Sequence, residues 1–132
     1  MPKLDRLLES ALYVDDPASS AHFYQDVLGF EVITAVERLY AMSVAGKQVL
    51  LLCKKEASAN LASPPPHDGS GHLHLAFAIP ASELSTWEAW LAEKGVSVEE
   101  KHTWKSGGCS LYFRDPDQHL VELATPGVWS IY

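Results

Sequence analysis

The amino-acid sequence predicts an α+β protein that is built from two copies of one βαβββ module. Each half of the 132-residue chain reads as strand, helix, strand, strand, strand, in the same order. The halves also share a register, since Glu9 and His74 lie 65 residues apart and Gly29 and Gly95 lie 66 residues apart. One half alone has too little surface to bury a stable core, so we expect the two modules to pair.

The first module spans residues 7–54. Alternating side chains over residues 8–14 predict its first strand. Asp16 precedes Pro17, a pair typical of a helix N-terminus, because the carboxylate accepts hydrogen bonds from free N–H groups. Gly29 is predicted to end this helix in a left-handed conformation. Three strands are predicted to follow, at residues 30–34, 39–44 and 48–53, with a turn at residues 45–47.

The second module, residues 72–125, repeats this pattern after a segment of different composition. Residues 55–71 are rich in Ala, Ser, Asn, Pro and Gly, which predicts a loop or linker. Ser82 is expected to cap the second helix and Gly95 to end it. Strands are predicted at residues 72–79, 96–101, 109–114 and 119–124, with a turn at residues 115–118. Residues 126–132 form a C-terminal tail, and we interpret the whole chain, residues 1–132, as one domain.

Composition and charge exclude several classes of protein. The chain is 47% hydrophobic and 20% charged, which is typical of a globular domain. Its net charge is −7 without any basic run, so neither nucleic acid nor membrane is expected as a partner. The longest apolar runs are far shorter than the roughly 20 residues of a membrane helix, and the N-terminus lacks the apolar stretch of a signal peptide. The two cysteines have neither metal nor redox spacing, which favours a cytoplasmic location.

Four segments carry a family resemblance in their order and spacing. They are residues 13–17 (YVDDP), 23–30 (FYQDVLGF), 74–77 (HLAF) and 110–123 (SLYFRDPDQHLVEL). Together they resemble the vicinal oxygen chelate superfamily, which includes glyoxalase I, fosfomycin-resistance proteins, extradiol dioxygenases and bleomycin-binding proteins. The second half is most similar to the fosfomycin-resistance branch. The resemblance implies that each module curls into a half-barrel sheet and that two half-barrels enclose a metal ion.

The resemblance also implies three metal ligands. By position they are Glu9 in the first strand of module one, and His74 and Glu122 in the first and last strands of module two. The fourth position of the family pattern falls near Leu51, which cannot bind a metal ion. Two carboxylates and one imidazole suit a divalent ion such as Mn²⁺, Ni²⁺, Zn²⁺, Fe²⁺ or Mg²⁺, and we expect one per site. Three protein ligands leave positions open for a chelating substrate.

Five further residues are candidates for the substrate pocket. Ser110 and Tyr112 share one face of a strand, and matching positions in the resembling branch contact substrate. Lys105 and Ser106 belong to a glycine-containing loop that is able to hold an anionic group. His102 is a candidate general acid or base, because an imidazole titrates near neutral pH. Each has a structural alternative: Tyr112 packs, the loop is only a hairpin turn, and His102 is an ordinary strand residue.

Three other side chains receive simpler interpretations. His72 shares the face of His74 but sits at the start of its strand, so we expect it at the rim of the site. His119 alternates away from Glu122, and we expect it at the surface. Trp104 is expected to contribute to an aromatic rim over the cavity.

These residues, taken with the resemblance, favour a divalent-metal enzyme. Its metal would chelate neighbouring oxygens of a small substrate and act as a Lewis acid. The reaction stays open among isomerisation, lyase chemistry, thiol addition, epoxide opening and ring cleavage. Two alternatives are a non-catalytic drug-sequestering protein of the bleomycin-resistance type and an iron-dependent extradiol dioxygenase. The resemblance further implies a homodimer, with sites that are either shared by module exchange or closed within one chain.

Overall fold

A computed structural model describes all residues from 1 to 132, which form two compact units, residues 1–70 and 71–132. The first unit contains β1 (Glu9–Val14), α1 (Pro17–Leu28), β2 (Glu31–Val36), β3 (Leu39–Val44) and β4 (Gln48–Lys54). The second contains β5 (His74–Ala78), a 3₁₀ turn (Ala81–Glu83), α2 (Leu84–Glu93), β6 (Glu100–Thr103), β7 (Cys109–Arg114) and β8 (Leu120–Ala124). Neither helix combines the length and apolarity needed to cross a bilayer.

The two units have the same sheet topology. The strand order is β1-β4-β3-β2 in the first sheet and β5-β8-β7-β6 in the second. In each sheet the first strand pairs in parallel with the fourth, and the remaining pairs are antiparallel. The structure therefore confirms the predicted α+β class and its repeated βαβββ order.

The ends of the helices follow from capping chemistry. The Asp16 carboxylate accepts a hydrogen bond of 3.1 Å from the Ala18 amide, and Pro17 occupies the first turn of α1. Gly29 follows α1 and Gly95 follows α2, each with a φ of 70°, a left-handed conformation that costs glycine little. Both helix-ending glycines are thus confirmed.

Several boundaries in the second unit differ from the sequence prediction. Strand β5 occupies residues 74–78 instead of 72–79, so His72 precedes it, and β8 begins at residue 120 instead of 119. Ser82 lies inside the 3₁₀ turn, and α2 begins after Glu83 with no side-chain cap, so the predicted Ser82 cap is wrong. The turn places Ser82 one residue ahead of the capping position. Strand β6 occupies residues 100–103 instead of 96–101, because the Val96 amide bonds to the Leu91 carbonyl at 2.8 Å and thereby stays at the end of the helix.

Each sheet has one apolar buried face and one more accessible face. In the first unit the buried face comprises Leu12, Val14, Met42, Leu50 and Leu52, and Tyr24 and Val27 of α1 are buried as well. In the second unit it comprises Leu111, Phe113, Val121 and Leu123. The alternation of the strands directs the neighbouring side chains to the opposite face of each sheet. In the second unit that opposite face carries most of the candidate functional residues.

The segment at residues 55–71 contains turns and bends but no helix or strand. It is nevertheless attached to the first unit. His67 Nδ1 and the Tyr13 hydroxyl share a hydrogen bond of 2.7 Å, and the His67 amide donates to the Ser58 carbonyl at 3.1 Å. Gly69 lies directly against the Tyr13 ring, where a Cβ atom would approach Cδ2 to 2.5 Å.

Candidate metal centre

His74 and Glu122 form a close pair in the second unit. Parallel pairing of β5 with β8 sets His74 opposite Leu120 and Ala76 opposite Glu122, which brings both functional groups to one face of the sheet. His74 Nε2 lies 3.2 Å from Glu122 Oε2. The side chain of His74 is 48% exposed, whereas that of Glu122 is 7% exposed. The pair therefore joins a buried carboxylate to an imidazole that solvent and ligands can reach.

The backbone fixes the orientation of the imidazole. His74 Nδ1 lies 3.0 Å from the Leu120 carbonyl oxygen, and a carbonyl can only accept, so Nδ1 must carry a proton and donate it. This bond leaves Nε2 as the atom that is directed at Glu122. Histidines that bind metals are commonly held in this way, with one ring nitrogen anchored and the other free to act as a ligand.

The carboxylate of Glu122 is fixed by a short chain of hydrogen bonds. The hydroxyl of Ser110, which is itself fully buried, donates to Glu122 Oε1. Trp104 Nε1 in turn donates to Ser110 Oγ at 2.9 Å. Oε1 is thus satisfied from within the sheet, and Oε2 is the oxygen that faces His74.

The chemistry of this pair fits a divalent cation. A buried carboxylate needs a positive partner, which a metal ion or a protonated imidazole supplies. Two neighbouring ligands at about 2.1 Å from one ion lie about 3 Å apart, close to the separation of Nε2 and Oε2. No cluster of three or more His, Cys, Asp or Glu side chains accompanies the pair within this unit. The second unit alone therefore supplies two candidate ligands.

Tyr112 and His102 lie on the same face as the pair. Tyr112 stands opposite Glu122 in the β7–β8 ladder, and its ring centre is 6.4 Å from that of His74. Burial raises the pKa of Tyr112, and both the Glu122 charge and a hydrogen bond with the Glu122 carboxylate add to the rise, against a lowering from the hydrogen bond with Ser110. The phenol thus stays protonated at neutral pH. His102 stands opposite Ser110 and its Nδ1 lies 3.2 Å from Glu100 Oε1.

The loop that carries Lys105 and Ser106 is a closed turn. The Trp104 amide donates to the Gly108 carbonyl at 2.8 Å, and the Gly107 amide donates to the Trp104 carbonyl at 2.9 Å. The Ser106 hydroxyl donates to the carbonyl of Gly127 in the C-terminal tail. Lys105 is exposed. The hydroxyl of Ser106 is therefore committed to the backbone, while the Lys105 side chain is accessible to solvent.

Glu9 belongs to the first unit, where it is exposed at the start of β1. The register of the first sheet places Leu51 between Ala11 and Ala41. Glu122 has the equivalent place in the second sheet, since each residue stands on the fourth strand of its module opposite the third residue of the first strand. The first unit thus has an apolar side chain where the second has a carboxylate, in agreement with the position assigned to Leu51 from the sequence.

The sequence prediction was wrong for one residue near the pair and missed one contact. His119 was expected at the surface, but it is 2% exposed and its Nδ1 accepts a hydrogen bond of 2.9 Å from the Leu73 amide. That prediction is wrong because the face opposite Glu122 is the buried face of the sheet. The contact from Trp104 to Ser110 was not foreseen either. Counting back through the hairpin at residues 115–118 would have set Ser110 diagonally beside Glu122, but nothing local indicates the indole.

Comparison with known proteins gives one family for nearly the whole chain. The family model described as the Glyoxalase/Bleomycin resistance protein/Dioxygenase superfamily matches residues 3–123. Among solved structures, the lactoylglutathione lyase from Agrobacterium tumefaciens is 30% identical with a TM-score of 0.91. The match covers 98% of this chain and 99% of that protein.

Two curated relatives have different named activities. The metallothiol transferase FosB of Staphylococcus saprophyticus is 29% identical over 113 residues, which cover 85% of this chain and 71% of that protein. The catechol-2,3-dioxygenase of Bacillus subtilis is 31% identical over 105 residues, which cover 79% of this chain and 35% of that protein. These similarities define the fold and the family and do not single out one reaction.

Proposed function

The chain belongs to the glyoxalase/bleomycin resistance protein/dioxygenase superfamily, and we propose that it is a divalent-metal enzyme acting on a small substrate with two neighbouring oxygen atoms. Members of this superfamily are typically metal-dependent and are generally homodimers that act on small substrates. The observation that carries the proposal is the pair of His74 and Glu122, held 3.2 Å apart by independent hydrogen bonds.

We propose distinct roles for the residues around this pair. His74 Nε2 and Glu122 Oε2 hold the metal ion, which would supply a Lewis acid for an oxyanion, an enolate or an epoxide oxygen. The Tyr112 hydroxyl contacts the substrate beside them. His102, half-exposed on the same face, takes up or releases a proton. Lys105 offers a positive charge to an anionic substrate group.

We further propose that Glu9 is the third protein ligand and that the two modules act together as one domain. Because Glu9 lies in the first unit, this role requires the first unit of the same chain or of a partner subunit. If the partner subunit supplies Glu9, each metal site is shared across a homodimer. Leu51 adds no fourth ligand, which leaves more than one coordination position for substrate oxygens.

The first prediction concerns metal binding. We expect the protein to bind about one Mn²⁺, Ni²⁺, Zn²⁺ or Fe²⁺ ion per chain in calorimetry, with a rise in Tm because the ion prefers the folded state. His74→Ala should weaken binding at least about tenfold, since it removes the nitrogen ligand. The exposed helix residue His22 provides the matched control, and His22→Ala should bind as the unchanged protein does. Failure of all four ions to bind would overturn the proposal.

Two assays of the purified protein distinguish the proposed enzyme from the two alternative functions. A sequestering protein of the bleomycin-resistance type would bind an organic drug with an affinity that is independent of added metal. An extradiol dioxygenase would consume oxygen when it is given a catechol and Fe²⁺. The enzyme that we propose, with redox-neutral Lewis-acid chemistry, would consume none.

A further inference from the structure

We propose that Ser110 and Trp104 are positioning residues that make Glu122 a one-oxygen metal ligand. The inference rests on the proposed metal site and concerns how this chain presents its carboxylate. Trp104 directly follows β6, Ser110 lies in β7 and Glu122 lies in β8. We refer to the three side chains together as the Trp–Ser–Glu relay.

The direction of every proton in the relay is determined by chemistry. An indole N–H can only donate, so the 2.9 Å contact of Trp104 Nε1 uses a lone pair of Ser110 Oγ. In the contact of Ser110 with Glu122, the Ser110 hydroxyl donates to Oε1, because a carboxylate oxygen accepts. A hydroxyl that receives one hydrogen bond while it donates another is polarised, which strengthens the bond to the carboxylate.

Burial makes this bond decisive for the orientation of Glu122. The side chain of Glu122 is 7% exposed and Ser110 is fully buried, so water has little access to replace the hydroxyl. A buried charged oxygen without a hydrogen bond is costly, and the carboxylate therefore keeps Oε1 at Ser110. The remaining oxygen, Oε2, faces His74 Nε2. Glu122 consequently offers one oxygen, and its plane is fixed before any ion arrives.

The indole is itself held by neighbouring structure. The backbone of Trp104 closes the turn at residues 104–108 through hydrogen bonds with Gly107 and Gly108. Its ring meets the His102 ring edge-on at 4.6 Å between centroids. The turn thus fixes the position of the indole. The indole orients the Ser110 hydroxyl, and that hydroxyl orients the Glu122 carboxylate.

The test measures Zn²⁺ and Mn²⁺ affinity by calorimetry in four variants. Ser110→Ala should raise Kd by about 10- to 100-fold, the usual effect of removing a group that orients a metal ligand. Trp104→Phe should raise it by about three- to tenfold, because Ser110 still reaches Glu122. The double variant should bind no more weakly than Ser110→Ala, since Trp104 acts through Ser110. The exposed Ser97 gives the matched control, and Ser97→Ala should leave Kd unchanged.

A spectroscopic measurement separates positioning from general destabilisation. The visible spectrum of bound Co²⁺ reports the number and arrangement of its ligands. Ser110→Ala frees Oε1 to join Oε2, so we expect its Co²⁺ spectrum to differ from that of the unchanged protein, whereas Ser97→Ala keeps the original spectrum. If Ser110→Ala does not fold, Trp104→Phe carries the test through its Kd, because Ser110 still holds Oε1 in that variant and no change of the Co²⁺ spectrum is expected.

The experiments distinguish a failure of the Trp–Ser–Glu relay from a failure of the proposed metal enzyme. If the unchanged protein binds metal but Ser110→Ala binds within about twofold of it, or shows the same Co²⁺ spectrum, the relay is overturned and the metal enzyme stands. Additive effects in the double variant would also overturn the relay. If the unchanged protein binds no metal, the proposed function falls, and this inference falls with it.

Discussion

At the scale of single residues, close packing against the Tyr13 ring explains why residue 69 is a glycine. Gly69 lies against the Tyr13 ring, which also bonds to His67, and so joins the segment at residues 55–71 to β1. No φ in the left-handed range is involved at Gly69, so the need for glycine there is steric. The contact is therefore testable by adding one methyl group.

Gly69→Ala should lower the free energy of unfolding by about 1–3 kcal/mol, because its Cβ would overlap the Tyr13 ring. Chemical denaturation measures the change. In a Tyr13→Ala background the ring is absent, so the same substitution should cost less than about 0.5 kcal/mol. An equal cost in both backgrounds would show that the clash with Tyr13 is not the cause.

At the scale of elements, the two helices begin differently although their modules are duplicates. Helix α1 has an N-cap side chain, Asp16, whereas α2 follows a 3₁₀ turn and has none. The turn already satisfies the first free N–H group of α2, since the Leu84 amide donates to the Ala81 carbonyl. The free N–H groups at the helix start are thus bonded by a side-chain carboxylate in the first module and by a backbone carbonyl in the second.

Asp16→Ala should therefore lower the free energy of unfolding by about 1 kcal/mol, the usual cost of losing an N-cap. Ser82→Ala should change it by less than about 0.5 kcal/mol, because Ser82 caps nothing. Thermal denaturation of the unchanged protein and of both variants at one pH compares their free energies of unfolding. A larger cost for Ser82→Ala than for Asp16→Ala would contradict this account of the helix starts.

At the scale of the whole molecule, the duplication assigns different chemistry to the two units. The second unit contains His74 and Glu122, and the first contains Glu9 and has Leu51 at the position equivalent to Glu122. Neither unit supplies all three proposed ligands. Under our proposal, metal binding therefore requires both units, and a shared site makes it depend on the homodimer.

Mixing two defective variants tests the shared site. Heterodimers of Glu9→Ala with Glu122→Ala would have one doubly defective site and one intact site. After random subunit exchange, roughly a quarter of the sites should bind metal again in calorimetry. His74→Ala mixed with Glu122→Ala is the matched control, because both defects lie in the second unit and no intact site can form. Equal absence of recovery in both mixtures, with subunit exchange demonstrated, would mean that each site closes within one chain.

The sequence by itself determined the α+β class, the repeated βαβββ order and the two helix-ending glycines. These features depend on local rules, since strand alternation, helical spacing and the conformational freedom of glycine act within a few residues. The candidate ligands Glu9, His74 and Glu122 came from the position of a family pattern, and their role as metal ligands stays a prediction.

The tertiary structure alone decided which side chains meet. Ser82 matched a capping pattern, but the preceding turn moved the helix start past it. His119 does lie on the face opposite Glu122, as strand alternation predicts. Only the packing of the second unit shows that this face is buried. The contact of Trp104 with Ser110, and of Ser110 with Glu122, depends on the register of three strands and on the turn at residues 104–108. Register between strands is set by long-range pairing, which no local pattern in the sequence specifies.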